Sequence, residues 1–364
     1  MGAPACYELA KRGLKVLGIE QFGIVHDHGS HSGQTRIIRK AYFEHPDYVP
    51  LLERAYLNWR EIEQQREVKI YHETGLLYMG DPDGDVINGV LESADEYQIP
   101  IEEWDEDSLA EMFPDIRMPE GYTALYEPEA GYLDVGKAIR AYTDAAMKHH
   151  AAIHVQEKVL DWKEEEGIIK VTTDKTVYEC KKLVITAGAW ANDWLNQHVD
   201  LEVTRQVLAW MTVPARTNHS SIPCWLTDHP DGTGAYYGFP YAQNGPNTGY
   251  KVGWHYPGEP IAPDNLTADV DAEELKALEQ YMKQMLPGVS LQLSSTATCM
   301  YTNSEDEDFI IDFLPETDGK VIVAAGFSGH GFKFSSVVGE ILADLAIDGT
   351  TALPIDFLGF DRFS

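Results

Sequence analysis

Lys333 stands in the glycine-rich run Gly326-Phe327-Ser328-Gly329-His330-Gly331-Phe332-Lys333-Phe334-Ser335. The run follows an apolar stretch, Val321 to Ala325. It leads into apolar residues at Val337, Val338, Ile341, Leu342 and Leu345, spaced as on one face of a helix. A glycine turn between strand and helix lets a ligand approach bare backbone. The helix start offers unpaired N–H groups and the positive end of a dipole. With a lysine inside it, such a turn suits a cofactor, an anion or a negative charge that develops during reaction.

A second candidate lies at the other end of the chain. Residues 3–12 read as a helix that Gly13 ends, and Leu14 to Ile19 read as a short buried strand finishing at Glu20. Helix, tight turn, strand and acid make the second half of a dinucleotide-binding unit, in which the acid binds ribose hydroxyls. Gly2 is then the last glycine of the fingerprint. The preceding strand and two more glycines are absent before Met1-Gly2, so the natural chain is expected to begin upstream, with Met1 internal. A third candidate is Lys182 to Trp190, a buried strand running into the small-residue turn Ala187-Gly188-Ala189, where backbone can again meet a cofactor.

The elements that position these residues follow from pattern. Helices are expected at about 47–64, 83–97, 107–113, 135–149 and 271–285, and strands within 68–80. A strand pair is expected at 152–162 and 167–180. Residues 203–213, 221–228, 234–240, 247–256 and 289–302 are β-rich. The expected class is α/β plus α+β. A discontinuous, doubly wound Rossmann-like domain takes 1–75, 130–202 and 303–364, and a β-rich substrate domain takes 76–129 and 203–302.

Bulk properties narrow the partners. A chain of 364 residues, 44% of them hydrophobic, can build two full cores. Its net charge of −31 argues against nucleic acid and anionic membrane. Any site for an anionic group must carry its own cations. No apolar run reaches membrane-span length, and no signal-like start is seen. Cys6, Cys180, Cys224 and Cys299 are too widely spaced for a metal or redox motif, which suits the cytoplasm. His26, His28 and His31 with Asp27 invite a metal, but no fourth ligand is evident, and none is expected.

Further segments join these in one order: Gly29-Ser30-His31-Ser32-Gly33-Gln34-Thr35-Arg36-Ile37-Ile38-Arg39, Tyr236-Tyr237-Gly238-Phe239-Pro240, Lys251-Val252-Gly253-Trp254-His255, Cys299-Met300-Tyr301-Thr302 and Asp308-Phe309-Ile310-Ile311-Asp312. With the run at 326–335 they resemble the monomeric sarcosine oxidase and N-methyltryptophan oxidase family, within the D-amino-acid-oxidase-like flavoproteins, over nearly the whole chain. The resemblance implies FAD, bonded covalently through the Cys299 sulfur. It implies Arg39 and Lys333 holding a substrate carboxylate, Lys251 activating O2, and Tyr237, His255 and Tyr301 lining the substrate cavity. Arg36 matches a residue close to the flavin ring. Ser30, His31, Gly188, Trp190, Gly329, Gly331 and Phe332 join the cofactor-binding set, with Glu20 at the ribose and Val159 near the adenine.

The implied function is oxidation of an N-methyl or other secondary amino acid by O2, yielding formaldehyde and hydrogen peroxide, in a monomer. Two alternatives stay open: a flavin dehydrogenase with another electron acceptor, and a flavin-free binding protein, since the first strand and its glycines are missing. The 241–249 loop is longer than the resemblance to the sarcosine oxidases implies.

Overall fold

The computed structural model describes residues 1–195, 198–214, 221–242, 247–255 and 258–363. Its helices are Gly2–Lys11, Val49–Arg66, Asp85–Tyr97, Glu106–Met112, Val135–Lys148, Ala272–Met285 and Ser335–Asp348. Each expected helix is present, with ends displaced by one or two residues. The Ala272–Met285 helix starts on a reciprocal cap. Asp271 accepts the Glu273 N–H, and the Glu274 carboxylate accepts the Asp271 N–H.

Short parallel pairs sit among the helices. Leu17–Ile19 runs parallel to Ala152–His154. Leu183–Ile185 runs parallel to Val321–Ala325, which also pairs antiparallel with Ile310–Phe313. Helices Gly2–Lys11, Val49–Arg66, Val135–Lys148 and Ser335–Asp348 pack through buried Ala5, Leu52, Trp59, Tyr142, Val338 and Leu342. Gly339 is what lets two of them close up, because a Cβ there would lie 2.5 Å from that of Pro4. The expected strand from Leu14 is shorter than predicted and begins at Leu17, with Leu14 itself exposed.

The expected strand pair at 152–162 and 167–180 is corrected to four strands. Ala152–His154 belongs to the parallel pair. Val159–Glu165, Ile168–Thr173 and Val177–Cys180 form a separate antiparallel sheet. The break falls at Gln156, in the left-handed region at φ 53°, where the chain turns back and bonds to the Phe22 carbonyl.

A nine-stranded sheet carries most of the remaining chain. Its order is Glu259–Pro260, Glu202–Thr212, Gly249–His255, Ala235–Ala242, Cys224–Asp228, Leu76–Gly80, Thr123–Glu127 and Glu102–Trp104, with Gln292–Asn303 paired to Glu202–Thr212. The helix Ala272–Met285 covers one face, packing Leu278, Met282 and Met285 with Leu77, Trp225 and Val252 of the sheet. A three-stranded sheet, Thr35–Ile38, Gly131–Asp134 and Tyr71–Glu73, lies beside it. This mixture of parallel and antiparallel sheets with covering helices is the α/β plus α+β architecture expected. The 241–249 loop falls mainly on 243–246, outside the described residues, as does position 256 at the end of an expected strand.

Candidate active site

The glycine run forms one wall of a cavity. Gly329 takes φ +80° with the Tyr301 ring against it, and a Cβ there would stand 2.5 Å from that ring. Gly331 is pressed the same way by Phe327. The cavity is lined by Arg36, Arg39, Glu44, Tyr237, Phe239, His255, Cys299, Tyr301, Gly329, His330, Phe332 and Lys333, among others. Residues from distant parts of the chain therefore meet in one place.

Strand periodicity explains the meeting. Lys251, Gly253 and His255 share one face of their strand. Cys299 and Tyr301 share one face of theirs, opposite Gln206 and Thr204. Tyr237 stands opposite Gly253, and a Cβ at 253 would fall 2.6 Å from its hydroxyl, so the missing side chain makes room for the ring. The Tyr301 hydroxyl lies 3.1 Å from His255 Nδ1.

Arg39 follows the strand Thr35–Ile38 and is buried, 3% exposed. Its guanidinium is held 4.3 Å from the rings of both Tyr42 and Phe43. Nη2 donates to both carboxylate oxygens of Glu44, at 2.6 and 2.5 Å, and Nη1 donates to the Ala41 carbonyl. Glu44 was missed at the sequence level. Its signal, an acid five residues past an arginine in a loop, is too common to read alone. Burial works against its charge, but Arg39, His330 and Lys333 outweigh burial and bring its pKa to about 2.

Lys333 donates to the His330 carbonyl at 2.7 Å and to the Tyr42 hydroxyl at 3.4 Å. Burial and the Arg39 charge lower its pKa to about 7, against the pull of Glu44. Tyr42 also contacts His330 Nδ1, and His330 Nε2 reaches the Glu307 carbonyl. His330, inside the glycine-rich run, was missed as well, as were the apolar lining residues Ile37, Phe43, Leu226 and Phe239. Burial holds His255 at about 4 and His330 at about 3, so both are neutral near pH 7.

Lys251 lies just behind the lining. Its Nζ donates to the Thr35 carbonyl at 2.8 Å and stands 4.4 Å from the Phe239 ring centroid. Burial, with Arg36 nearby, pushes its pKa well below that of a free lysine. Arg36 donates to the carbonyls of Thr35, Ser30 and Ser32, tying the 29–36 loop together. Cys299 is a free, buried thiol whose pKa is raised by burial.

The remaining predicted residues form a second group, outside the cavity. Gly2 opens its helix so close to Thr186 that a Cβ would meet Oγ1 at 2.9 Å. Glu20 accepts the Phe22 N–H at 2.8 Å, and its carboxylate lies 3.6 Å from His26. Phe22 in turn lies 5.6 Å from the Trp190 ring, whose Nε1 donates to Asp264. Gly188 has φ +57°, and Val159 begins its strand half-buried. Arg36 joins the two groups, since its charge and those of Met1, His26 and Glu20 all bear on half-buried His31.

These residues fit a flavin dinucleotide. Ser30 Oγ and His31 Nε2 are buried with no hydrogen-bond partner, as groups awaiting a polar ligand would be. Arg36, Lys251 and Lys333 have no carboxylate ion-pair partner among the described residues, which suits an electron-rich ring and anionic reduced forms. No helix among the described residues is long and apolar enough to cross a membrane.

Comparison with known proteins agrees with this geometry. The profile of the FAD dependent oxidoreductase (DAO) family matches residues 1–345. The chain is 36% identical over 370 residues to a monomeric sarcosine oxidase of Bacillus sp. (strain NS-129), covering 100% of this chain and 94% of that protein. It is 34% identical over 368 residues to an N-methyl-L-tryptophan oxidase of Escherichia coli (strain SMS-3-5 / SECEC), covering 100% and 96%. Among solved structures it resembles NikD, described as an unusual amino acid oxidase essential for nikkomycin biosynthesis. The TM-score is 0.86 at 25% identity, over 98% of this chain and 94% of that one.

Proposed function

Because the chain belongs to the FAD-dependent oxidoreductase family, we propose that its pocket is that of an oxidase of N-methyl or other secondary amino acids, with O2 as the electron acceptor. The observation that carries this reading is the convergence of Arg39, Lys333, Tyr237, His255, Tyr301 and Cys299 on one cavity beside the Gly329 turn. When bound, the flavin would supply two-electron redox chemistry between the N-methyl carbon of the substrate and O2.

The chain's own residues do the rest. Arg39 and Lys333 hold the substrate carboxylate, which answers the repulsion that a −31 chain offers an anion. Tyr237, His255 and Tyr301 shape the cavity around the amine. Neutral His255 and His330 add no charge that would favour the ammonium form. Lys251, sited behind Phe239, stabilises negative charge on oxygen as it forms. Cys299 tethers the cofactor as a thioether. Ser30, His31, Arg36, Gly188, Trp190, Gly329, Gly331 and Phe332 hold the cofactor, with Gly2 and Glu20 at its nucleotide end and Val159 at the adenine. The substrate-derived imine hydrolyses to formaldehyde and the demethylated amino acid.

We assign 1–75, 130–202 and 303–364 to the FAD-binding part and 76–129 with 203–302 to the substrate part. The strands of the large sheet, all within 76–127 and 202–303, support this division. The Bacillus relative's name supports a monomer. The test is an aerobic assay with sarcosine and N-methyltryptophan, reading formaldehyde and peroxide together. Equal yields of both are expected. Formaldehyde that forms only with an added artificial acceptor would replace the oxidase with a dehydrogenase.

A further inference from the structure

An amino acid is a zwitterion in neutral water, yet only its neutral amine can release a hydride. A proton must therefore leave the substrate nitrogen inside the pocket. The groups facing Lys333 limit where it can go. From the strand Thr35–Ile38 and the loop after it come Arg36, Arg39, Tyr42 and Glu44. Tyr237, His255, Cys299 and Tyr301 come from the large sheet, and His330 from its own turn. Trp59 bonds only to its backbone carbonyl.

The fixed charges here are two guanidinium groups and one carboxylate, and Arg39 already grips both oxygens of that carboxylate. The acceptors that Lys333 Nζ does have, a carbonyl and a phenol, are neutral. An ammonium at 333 adds a second uncompensated cation in a buried space, where its Nζ is shielded from water. A substrate carboxylate removes that penalty on arrival.

We propose that the empty pocket keeps Lys333 as a neutral amine and that the substrate's own ammonium proton converts it to the cation that binds the substrate's carboxylate. This deepens, and rests on, the reading of the cavity as an amino-acid site. The substrate N–H bond breaks and leaves its electron pair on nitrogen, where hydride loss needs it. The Nζ lone pair forms the new N–H bond, and no proton passes to solvent. Hydride loss leaves an iminium, which water converts to formaldehyde, the amine and a proton that the forming peroxide takes up; the product amine then takes the Lys333 proton back as it leaves. One transfer thus makes the substrate reactive and the pocket cationic. His255 and His330 are far weaker bases in this pocket, while Lys333, at about 7, can hold either form near neutrality.

The test uses the holoenzyme and methoxyacetate, which replaces the substrate's amine by an ether oxygen and so brings no proton. Binding is followed by calorimetry in two buffers of different ionisation heat. At about pH 8.5 binding should draw about one proton per site from the buffer, and at about pH 5.5 almost none. Lys333→Arg, whose cation does not titrate, should bind with no uptake at either pH, and Lys251→Met should keep the uptake. No uptake by the unaltered protein at about pH 8.5, or equal uptake in Lys333→Arg, overturns the proposal. Failure of methoxyacetate to bind at any pH instead removes the amino-acid site, and this proposal with it.

Discussion

Lys251 and Glu44 are two ionisable residues whose placement packing alone does not explain. A lysine enclosed by Phe239 and the Thr35 carbonyl, with its pKa far below normal, is costly unless charge develops beside it. Replacing Lys251 by Met should slow reoxidation by O2 about 10²–10³-fold, the usual scale for one preorganised charge. Flavin reduction by substrate should change by less than about tenfold. Stopped-flow measurement of the two half-reactions separates them, and equal losses would remove the assigned role. Glu44 carries a different prediction. Its folded pKa, about 2, lies below the ordinary 4.5. Its contribution is therefore complete above pH 4.5 and is lost as pH falls toward 2. Glu44→Gln should lower stability at neutral pH by on the order of 3 kcal/mol and flatten the acid limb of the urea midpoint against pH. Arg39 could be singled out in the sequence because it ends a run of specific residues. Glu44 could not, because its partner is set by how the loop folds back.

At the scale of elements, the loop from Arg39 to Glu44 depends on the sheet beneath it. Glu127, fully buried at the end of the strand Thr123–Glu127, accepts the Lys40 N–H at 2.6 Å and the Tyr78 hydroxyl at 2.7 Å. Ser93, on the helix Asp85–Tyr97, donates to the Tyr42 carbonyl at 2.6 Å. Glu127→Ala removes the first anchor and leaves the Lys40 and Ala41 N–H groups without their carboxylate acceptor, a cost of about 1–3 kcal/mol each, while the Tyr78 hydroxyl keeps the Ala41 carbonyl. It should raise KM for carboxylate substrates at least about tenfold while kcat falls less, since the loop positions a binding group. A fall in kcat with unchanged KM would contradict this. Most helices were legible because their apolar spacing runs over ten residues or more, as in Val135–Lys148; Glu106–Met112 is the short exception. The strands Ala152–His154 and Val159–Glu165 were merged because the Gln156 reversal carries no glycine or proline to mark it. Glu127 was invisible for a related reason. No strand was expected at Thr123–Glu127, and only the tertiary fold brings the Lys40 and Ala41 backbone donors to its last residue.

At the scale of the molecule, a charge of −31 surrounds a pocket whose fixed cations before substrate arrives are Arg36 and Arg39. The field repels anions at long range, while the local cations attract a carboxylate once it enters. A zwitterionic substrate carries no net charge and should associate at a rate nearly independent of salt. An amine-free carboxylate should associate faster as salt screens the field over roughly 10 Å. Stopped-flow association of methoxyacetate and sarcosine across ionic strength would check this, and a rate that falls with salt for the anion would contradict it. The −31 charge was plain in the composition, but the basic residues that receive a carboxylate come from positions 36 to 333 and meet only in the folded chain.

The most direct test of the whole account is anaerobic addition of an N-methyl amino acid to the purified yellow protein. The account predicts that the flavin colour bleaches, then returns on admitting air with one peroxide formed per flavin. Colour that persists with every secondary amino acid tried would contradict it.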